Sequence, residues 1–393
     1  VRVGISFKSK FLDIDKISYL KKKSLLQQEK RRDISYFKAS NKICSTFKAE
    51  VSDLRYICEQ LKNAFERYEP LVQSESPENK INLEQAVLEV FVEEYYPIIN
   101  NLMNKIALLV KDKDKDKDKD KYLDDIYKEY FRHHLLDLFL TAPFINRSYK
   151  KPLGYAGDYE MMNMLYQNQY EGKTLFGKFL NGHIWQSPAS QAVRNRVPYL
   201  VNKMLMILSD STPKIGASIT SIGCGPAKEV QEFILHGIEA DNCEFNLIDA
   251  ERSALRYCQD KVLEAKHSRG VGTKIKILNK SVAEILRNKN NPLSAKQDLI
   301  YSVGLFDYLS ADLCISLIRI FYENLKPNGT LIIGNFDPSN ETRNYMEYAM
   351  EWHLIYRNGQ DMLDLASSLT DKAECFVEKE ATKTNNFLVV KKG

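Results

Sequence analysis

The chain of 393 residues is 44% apolar and 27% charged, with 56 Lys and Arg against 52 Asp and Glu; this is the balance of a globular protein with room for about two domains, and it excludes a fibrous or disordered chain. A net charge of +4 is too slight to make nucleic acid an expected partner. No apolar run approaches the roughly 20 residues of a membrane-spanning helix, since the best stretch, LLDLFLTAPFI, is short and carries Asp137.

In chain order, the opening VRVGISFKSK lacks the charged start, apolar stretch and small-residue cleavage site of a signal peptide, so a cytoplasmic protein is expected. The Lys- and Glu-rich region that follows has helical spacing. In INLEQAVLEVFVEEYYPIINNLMNKIALLV apolar residues recur at three and four, as one helix or two helices meeting at Pro97 require. KDKDKDKDKDK, residues 111–121, has no apolar residue to bury and reads as a solvated loop. YLDDIYKEYFRHHLLDLFL is again helical. TAPFINRSYKKPLGYAGDYEMMNMLY then sets Pro143, Pro152, Gly154 and Gly157 among Tyr149, Tyr155 and Tyr159, and ASQAVRNRVPYLVNKMLMIL returns to helix with Pro198 as a kink or break.

From about residue 216 the texture changes. ASITSIG, CEFNLID, KIKILN, QDLIYSV and GTLIIGNF are short apolar or β-branched runs, separated by the helix-like AKEVQEFILHG, ERSALRYCQDKVLEAK, SVAEILRN and ADLCISLIRIFYENLKPNG. ECFVEKEAT and NNFLVVKK, with only KTN between them, must pair as an antiparallel hairpin. The expected fold is therefore α/β: a doubly wound, mostly parallel seven-stranded sheet with a C-terminal antiparallel hairpin over residues 191–393, preceded by an all-α N-terminal domain over residues 1–190.

Ligands of such sheets bind beyond the carboxyl ends of the strands. In SIGCGPAKEV, Gly223 and Gly225 free the first strand-to-helix turn and remove β-carbons that would hold a ligand away, and Pro226 is placed to open the helix. Lys228 stands where the dinucleotide fingerprint needs Gly or Ala, and the phosphate loop's G-K-[ST] is absent, so a dinucleotide enzyme and a kinase lose ground. Asp249 closes the second strand, where an acid can accept from both hydroxyls of a ribose, or simply cap the next helix. Arg194 and Arg196 precede the sheet, as a carboxylate clamp or as solvated helix charges. ETRNYMEYAMEWHLIYRNGQ has helical spacing, with Tyr345, Ala349, Trp352 and Tyr356 on one face and Met346, Met350, His353 and Arg357 on its neighbour, which fits either core or a substrate lid. The histidines and cysteines show no zinc spacing, and no metal is expected.

The G-x-G loop after strand one, the acid closing strand two, K-P-x-G-x-L before strand five and the terminal hairpin resemble class I S-adenosylmethionine-dependent methyltransferases over residues 190–393. KPLGYAGDYEMMNMLY, AVRNRVPYL, SIGCGPAKEV, YSVGLFDYL and GNFDPSNETRNYMEYAMEWHLIYR resemble, more closely, a bacterial group of methyltransferases for synthesis of a 3-hydroxy fatty acid methyl ester signal, the extracellular factor. The resemblance implies S-adenosylmethionine as cofactor. Gly223, Cys224, Gly225 and Pro226 would line its methionine and ribose; Asp249 and Ala250 its ribose and adenine; Asn279, Ser281 and Val282 its adenine; and Ser302, Val303 and Gly304 would lie under the sulfonium. Ser221 departs from most of the superfamily, which has Asp or Glu there, usually helping to hold the methionine end, so another group must do so. Tyr155 and Asp158 in GYAGDY are expected to close over the cofactor with Asp158 in that role, unless the block is only a tyrosine-packed corner. Arg194, Arg196, Trp352, Tyr356 and Arg357 are expected at the substrate, with His353 and Tyr308 as catalytic bases if the acceptor is a hydroxyl or amine. O-methylation of a small carboxylate or hydroxyl, such as a fatty or hydroxy acid, is the leading function; protein methylation, and a non-catalytic cofactor-binding module whose N-terminal helices engage a protein, are the alternatives.

Overall fold

The computed structural model describes residues 40–111, 117–209, 216–237, 241, 243–287, 293, 295–370 and 373–393. The helical part comprises α1 (Ser45–Gln73), α2 (Pro77–Lys111), α3 (Lys117–Phe139), α4 (Pro143–Lys150), α5 (Tyr159–Tyr166), α6 (Leu175–Trp185) and α7 (Pro188–Ser209). Pro97 and Pro198 lie inside α2 and α7 instead of dividing them. A proline removes one backbone donor, and tertiary packing of the flanking turns carries the helix across that loss. The charged alternation is in part not the loop its composition implies. Residues 112–116 and the opening stretch 1–39 lie outside the described residues, but α3 begins at Lys117. Its docked portion, with Ile126, Tyr127 and Phe131 buried, nucleates a helix that propagates back into the charged run.

The sheet is built from β1 (Ala217–Ile222), β2 (Cys243–Asp249), β3 (Lys274–Asn279), β4 (Gln297–Ser302), β5 (Leu325–Phe336), β6 (Ala373–Lys379) and β7 (Asn385–Lys392), in the order β3-β2-β1-β4-β5-β7-β6. The first five strands are parallel, and β7 enters antiparallel between β5 and β6. Helices α8 (Lys228–His236), α9 (Arg252–Arg269), α10 (Val282–Arg287), α11 (Ala311–Glu323) and α13 (Gly359–Ala366) cover the two faces, while α12 (Arg343–Ala349) leaves the sheet altogether. The expected α/β fold is the one observed. Its central strands carry the near-continuous apolar runs of strands buried on both faces, and all six residues of β4 are buried.

Two apolar layers flank the sheet, around Phe233, Phe245 and Tyr301 on one side and Ile300, Phe306 and Phe321 on the other. A third core lies among the helices, and it also takes in Phe336 and, from beyond β5, Tyr345, Met346, Tyr348, Ala349, Met350 and Trp352. Helix α7 joins the two regions: Ala192 and Val193 belong to the helical core, Leu200 and Met204 to the sheet. The boundary expected near residue 190 therefore falls inside a helix.

The helix expected over ETRNYMEYAMEWHLIYRNGQ stops at Ala349. Glu351 adopts a left-handed backbone with φ of 48°, and the Trp352 N–H turns back to the Met346 carbonyl at 2.9 Å. From there the chain runs to α13 without helix or strand, so the helical faces projected through His353, Tyr356 and Arg357 do not exist.

Candidate functional site

The turn after β1 is organised by the end of β2. Gly223 and Cys224 both donate to the Ile248 carbonyl, at 2.8 and 3.0 Å, and Gly225 donates to Asp249 Oδ2 at 2.9 Å. Gly223, Gly225 and Ala227 have φ of 66°, 51° and 48°. Glycine meets that demand without strain. A β-carbon at Gly223 would meet only Leu305, at 3.5 Å, and one at Gly225 only Tyr159, at 4.0 Å, so the space beside both is open. Pro226 does not open α8, which starts two residues later after the left-handed Ala227.

That space is a cavity of about 500 Å³ at the carboxyl edge of β1, β2 and β4, within the range of small-molecule sites. Its sheet-side wall is the stretch from Ser221 to Pro226, Asp249 to Glu251, and Val303 to Leu305. Asp249 accepts the Glu251 N–H at Oδ1, at 2.9 Å, and the Gly225 N–H at Oδ2, and burial pushes its carboxyl above the usual range. Each oxygen keeps a second lone pair for a ligand hydroxyl.

The facing wall comes from the helical part and from the strap between β5 and α13. Tyr155, Gly157 and Tyr159 of the GYAGDY turn line it, with Arg196, Phe336 and Trp352. The Trp352 Nε1–H donates to Tyr308 Oη at 2.8 Å. Gly157 is what lets this pair sit close: a β-carbon there would come within 2.6 Å of the Tyr308 hydroxyl and 2.8 Å of Trp352 Cζ2. Burial raises the Tyr308 hydroxyl above the usual phenol range, with the Asp307 charge adding to it.

Several expected site residues point elsewhere. Asp158 is buried, caps α5 by accepting from Met161 N at 3.0 Å, and is clamped by Arg147 at 2.8–3.0 Å, so its carboxylate is spent inside the turn and does not line the cavity. His353, 55% exposed in its side chain, lies outside the cavity with Nδ1 3.9 Å from Glu347, because the left-handed Glu351 turns it away. Arg194 stacks on the Trp185 ring at 3.5 Å and donates to the Trp185 carbonyl. Arg357 is buried as a backbone clamp, donating to the carbonyls of Phe306 and Leu309 and to Asn335 Oδ1. Tyr356 packs its ring against Arg343, at 4.6 Å. Asn279 holds the carbonyls of Asp249 and Ala250, Ser281 caps α10 through Glu284, and Ser302 donates to the Ile222 carbonyl; these three shape the rim without lining it. Gly223, Cys224, Gly225, Pro226, Asp249, Ala250, Val282, Val303, Gly304, Tyr155, Tyr308, Trp352 and Arg196 do line the cavity.

Arg196 is the strongest polar feature of the facing wall. It is only 6% exposed, Nη2 donates to Asn385 Oδ1 at 2.9 Å, the guanidinium lies 5.0 Å from the Phe336 ring, and the buried Nε has no partner among the described residues. Two buried acids in the cavity escaped sequence reasoning. Asp307 is buried on the 3₁₀ turn Phe306–Tyr308 after β4, accepts the Phe336 N–H at 2.7 Å, and is pushed up to about 6 by burial against the opposing pull of Arg196. Glu229, in the first turn of α8, accepts from Tyr301 Oη at 2.8 Å and is also raised by burial. Asp307 stands five residues past the end of β4 and Glu229 seven past the end of β1, on the carboxyl side where ligands of such sheets bind.

No protein-family model matches the chain, and no curated protein matches it in sequence. Among solved structures it is similar to the magnesium protoporphyrin IX methyltransferase of Synechocystis PCC 6803 with bound SAH, at 10% identity over 63% of this chain and 98% of that one, with a TM-score of 0.44. The N-methyltransferase NodS of Bradyrhizobium japonicum WM9 is similar at 14% identity over 50% of this chain and 95% of its own, with a TM-score of 0.33. A possible exported protein from Bordetella parapertussis gives 15%, 60% and 79%, with a TM-score of 0.45. Identities this low leave the chemistry to be argued from the residues of the cavity.

Proposed function

We propose that this chain is an S-adenosylmethionine-dependent methyltransferase acting on oxygen of a small acid with an apolar body. The observation that carries the proposal is the pairing, in one cavity, of an open left-handed glycine turn with an acid at the end of the neighbouring strand. Such a turn accepts a nucleoside at backbone distance, and Asp249 is placed to accept from ribose hydroxyls; nothing in the turn offers the phosphate cradle a dinucleotide needs. The β7 strand between β5 and β6 is the terminal hairpin that the methyltransferase resemblance implies.

When bound, the cofactor supplies an electrophilic methyl group on a sulfonium, and the protein's part is alignment and exclusion of water. Val303 and Gly304, at the end of β4, would lie beneath the reacting atoms, and Tyr155, Trp352 and Phe336 would close the space above them. Arg196, which lines the cavity, would receive a carboxylate through its guanidinium. A carboxylate acceptor needs no base, whereas a hydroxyl does. Asp307, with a carboxyl near 6, is ionised at neutral pH and would take that proton, with Tyr308 ordering the acceptor oxygen. A hydroxy acid satisfies both groups.

Calorimetry with S-adenosylmethionine tests the cofactor: no binding by the wild type, or Asp249→Ala binding as well as wild type, would sink the proposal. The acceptor is tested by incubating the protein with methyl-labelled cofactor and cell extract; the label is expected in the organic-extractable fraction. Label in the protein fraction alone would instead favour a protein substrate.

A further inference from the structure

Glu229 is a buried acid without a counter-charge. It is 8% exposed, it lines the cavity, and among the described residues its one hydrogen bond from another side chain comes from Tyr301 Oη, at 2.8 Å. Among the described residues no Lys, Arg or His forms an ion pair with it, and the adjacent Lys228 is turned to Glu232, at 2.7 Å. Acids in the first turn of a helix are common because the macrodipole favours them, but they serve that purpose from the surface. A carboxylate withdrawn from water and left with a phenol as partner is costly unless a cation joins it.

The position of Glu229 says which part of a ligand that cation would belong to. In the sheet β1 lies between β2 and β4. Asp249 stands at the end of β2 on one side of the glycine turn, and Glu229 is tied to Tyr301 of β4 on the other. A ligand lying across the turn with its ribose at Asp249 therefore extends toward β4, and its far end meets Glu229. Ser221, whose hydroxyl is neutral, lines the cavity between them.

We infer that Glu229 binds the ammonium of the cofactor's amino-acid end, filling the part that Ser221 leaves open, and that Tyr301 is a positioning residue that fixes the carboxylate for it. This rests on the methyltransferase reading, and the test separates the two. S-adenosylhomocysteine and 5′-methylthioadenosine share the nucleoside and the sulfur, but the second lacks the amino-acid end. Both are titrated calorimetrically into the full chain as wild type, Glu229→Gln, Tyr301→Phe and Asp249→Ala. Glu229→Gln is expected to weaken S-adenosylhomocysteine by about ten- to hundredfold, the range for a charged hydrogen bond out of water, and to leave methylthioadenosine within about twofold. Tyr301→Phe should follow the same pattern with a smaller loss, and Asp249→Ala should weaken both ligands alike. Because removing a buried, uncompensated charge leaves the fold intact or steadier, a thermal melt of Glu229→Gln at or above wild type accompanies the expected result. Unchanged S-adenosylhomocysteine affinity, or an equal loss for both ligands, overturns the inference while leaving the methyltransferase reading standing. Failure of both ligands to bind wild type overturns that reading and the inference with it.

Discussion

The two walls of the cavity are made by different means. The sheet-side wall is a matter of backbone: left-handed residues, amide donors and one acid arranged within a single strand-turn-helix and its neighbour. The facing wall is a matter of packing, in which a turn from the helical part, one arginine of α7 and a strap beyond β5 meet only in three dimensions. The first wall depends on what residues are, the second on where distant segments are brought. Cofactor binding should accordingly respond to changes in the sheet-side wall, and acceptor use to changes in the other.

The comparison is broken most severely by Asp249→Ala, which removes two backbone anchors and the proposed ribose partner together. S-adenosylhomocysteine affinity is expected to fall by about a hundredfold or more in a titration, at the upper end of what a charged hydrogen bond contributes. A loss under about threefold would remove Asp249 from the site. Arg196→Ala should lower kcat/KM for the acceptor by about ten- to hundredfold while cofactor affinity shifts by less than about threefold; equal losses in both would join the two walls into one.

Asp307→Asn separates catalysis from stability. If Asp307 acts as the base, wild-type kcat/KM rises with pH to a plateau with its midpoint near 6, and the variant loses that limb. The stability effect has the opposite sense. The folded carboxyl is held up to about 6 from an ordinary 3.8, so between these values the folded state keeps a proton that the unfolded state releases, and stability falls as pH rises through the window. The variant should melt above wild type at pH 7 and level with it near pH 4. A pH-independent difference in melting would show that the carboxyl titrates normally.

Gly157→Ala puts a β-carbon where the Tyr308 hydroxyl lies, and overpacking of this kind costs about 1–3 kcal/mol. Turnover is expected to fall by about tenfold, with the cofactor bound as before. The smallest effect belongs to His353→Gln: outside the cavity and half exposed, it should leave turnover within about twofold of wild type. A loss of about tenfold or more would return His353 to the reaction.

Legibility followed the same division. The order of strands and helices, the antiparallel finish, the glycine turn and Asp249 could all be read, because each is a local requirement of backbone or of period. Arg196 and Trp352 were legible as residue types, but their partners Asn385 and Tyr308 were not, being supplied by other elements. Asp158 was misleading for a physical reason: an acid before a helix has a capping duty that sequence alone ranks no differently from a ligand contact. His353 and Arg357 were misplaced because one left-handed residue, Glu351, ends the helix that periodicity would have continued. Glu229 went unseen, since an acid in a first helical turn looks ordinary until its burial is known.

The strap between β5 and α13 has a consequence for modularity. Its ends are tied to the sheet, where Asp337 accepts from Asn386 and Lys379 and the Arg357 N–H donates to the Phe336 carbonyl, while its middle completes the helical core through Tyr345, Tyr348 and Lys128–Glu347. No single cut through the chain yields two parts with whole interiors. A graft that replaces residues 40–187 with those of a relative must carry residues 337–357 along with them, and recombination between relatives would be expected to keep these two stretches in company even though well over a hundred residues of sheet lie between them in sequence.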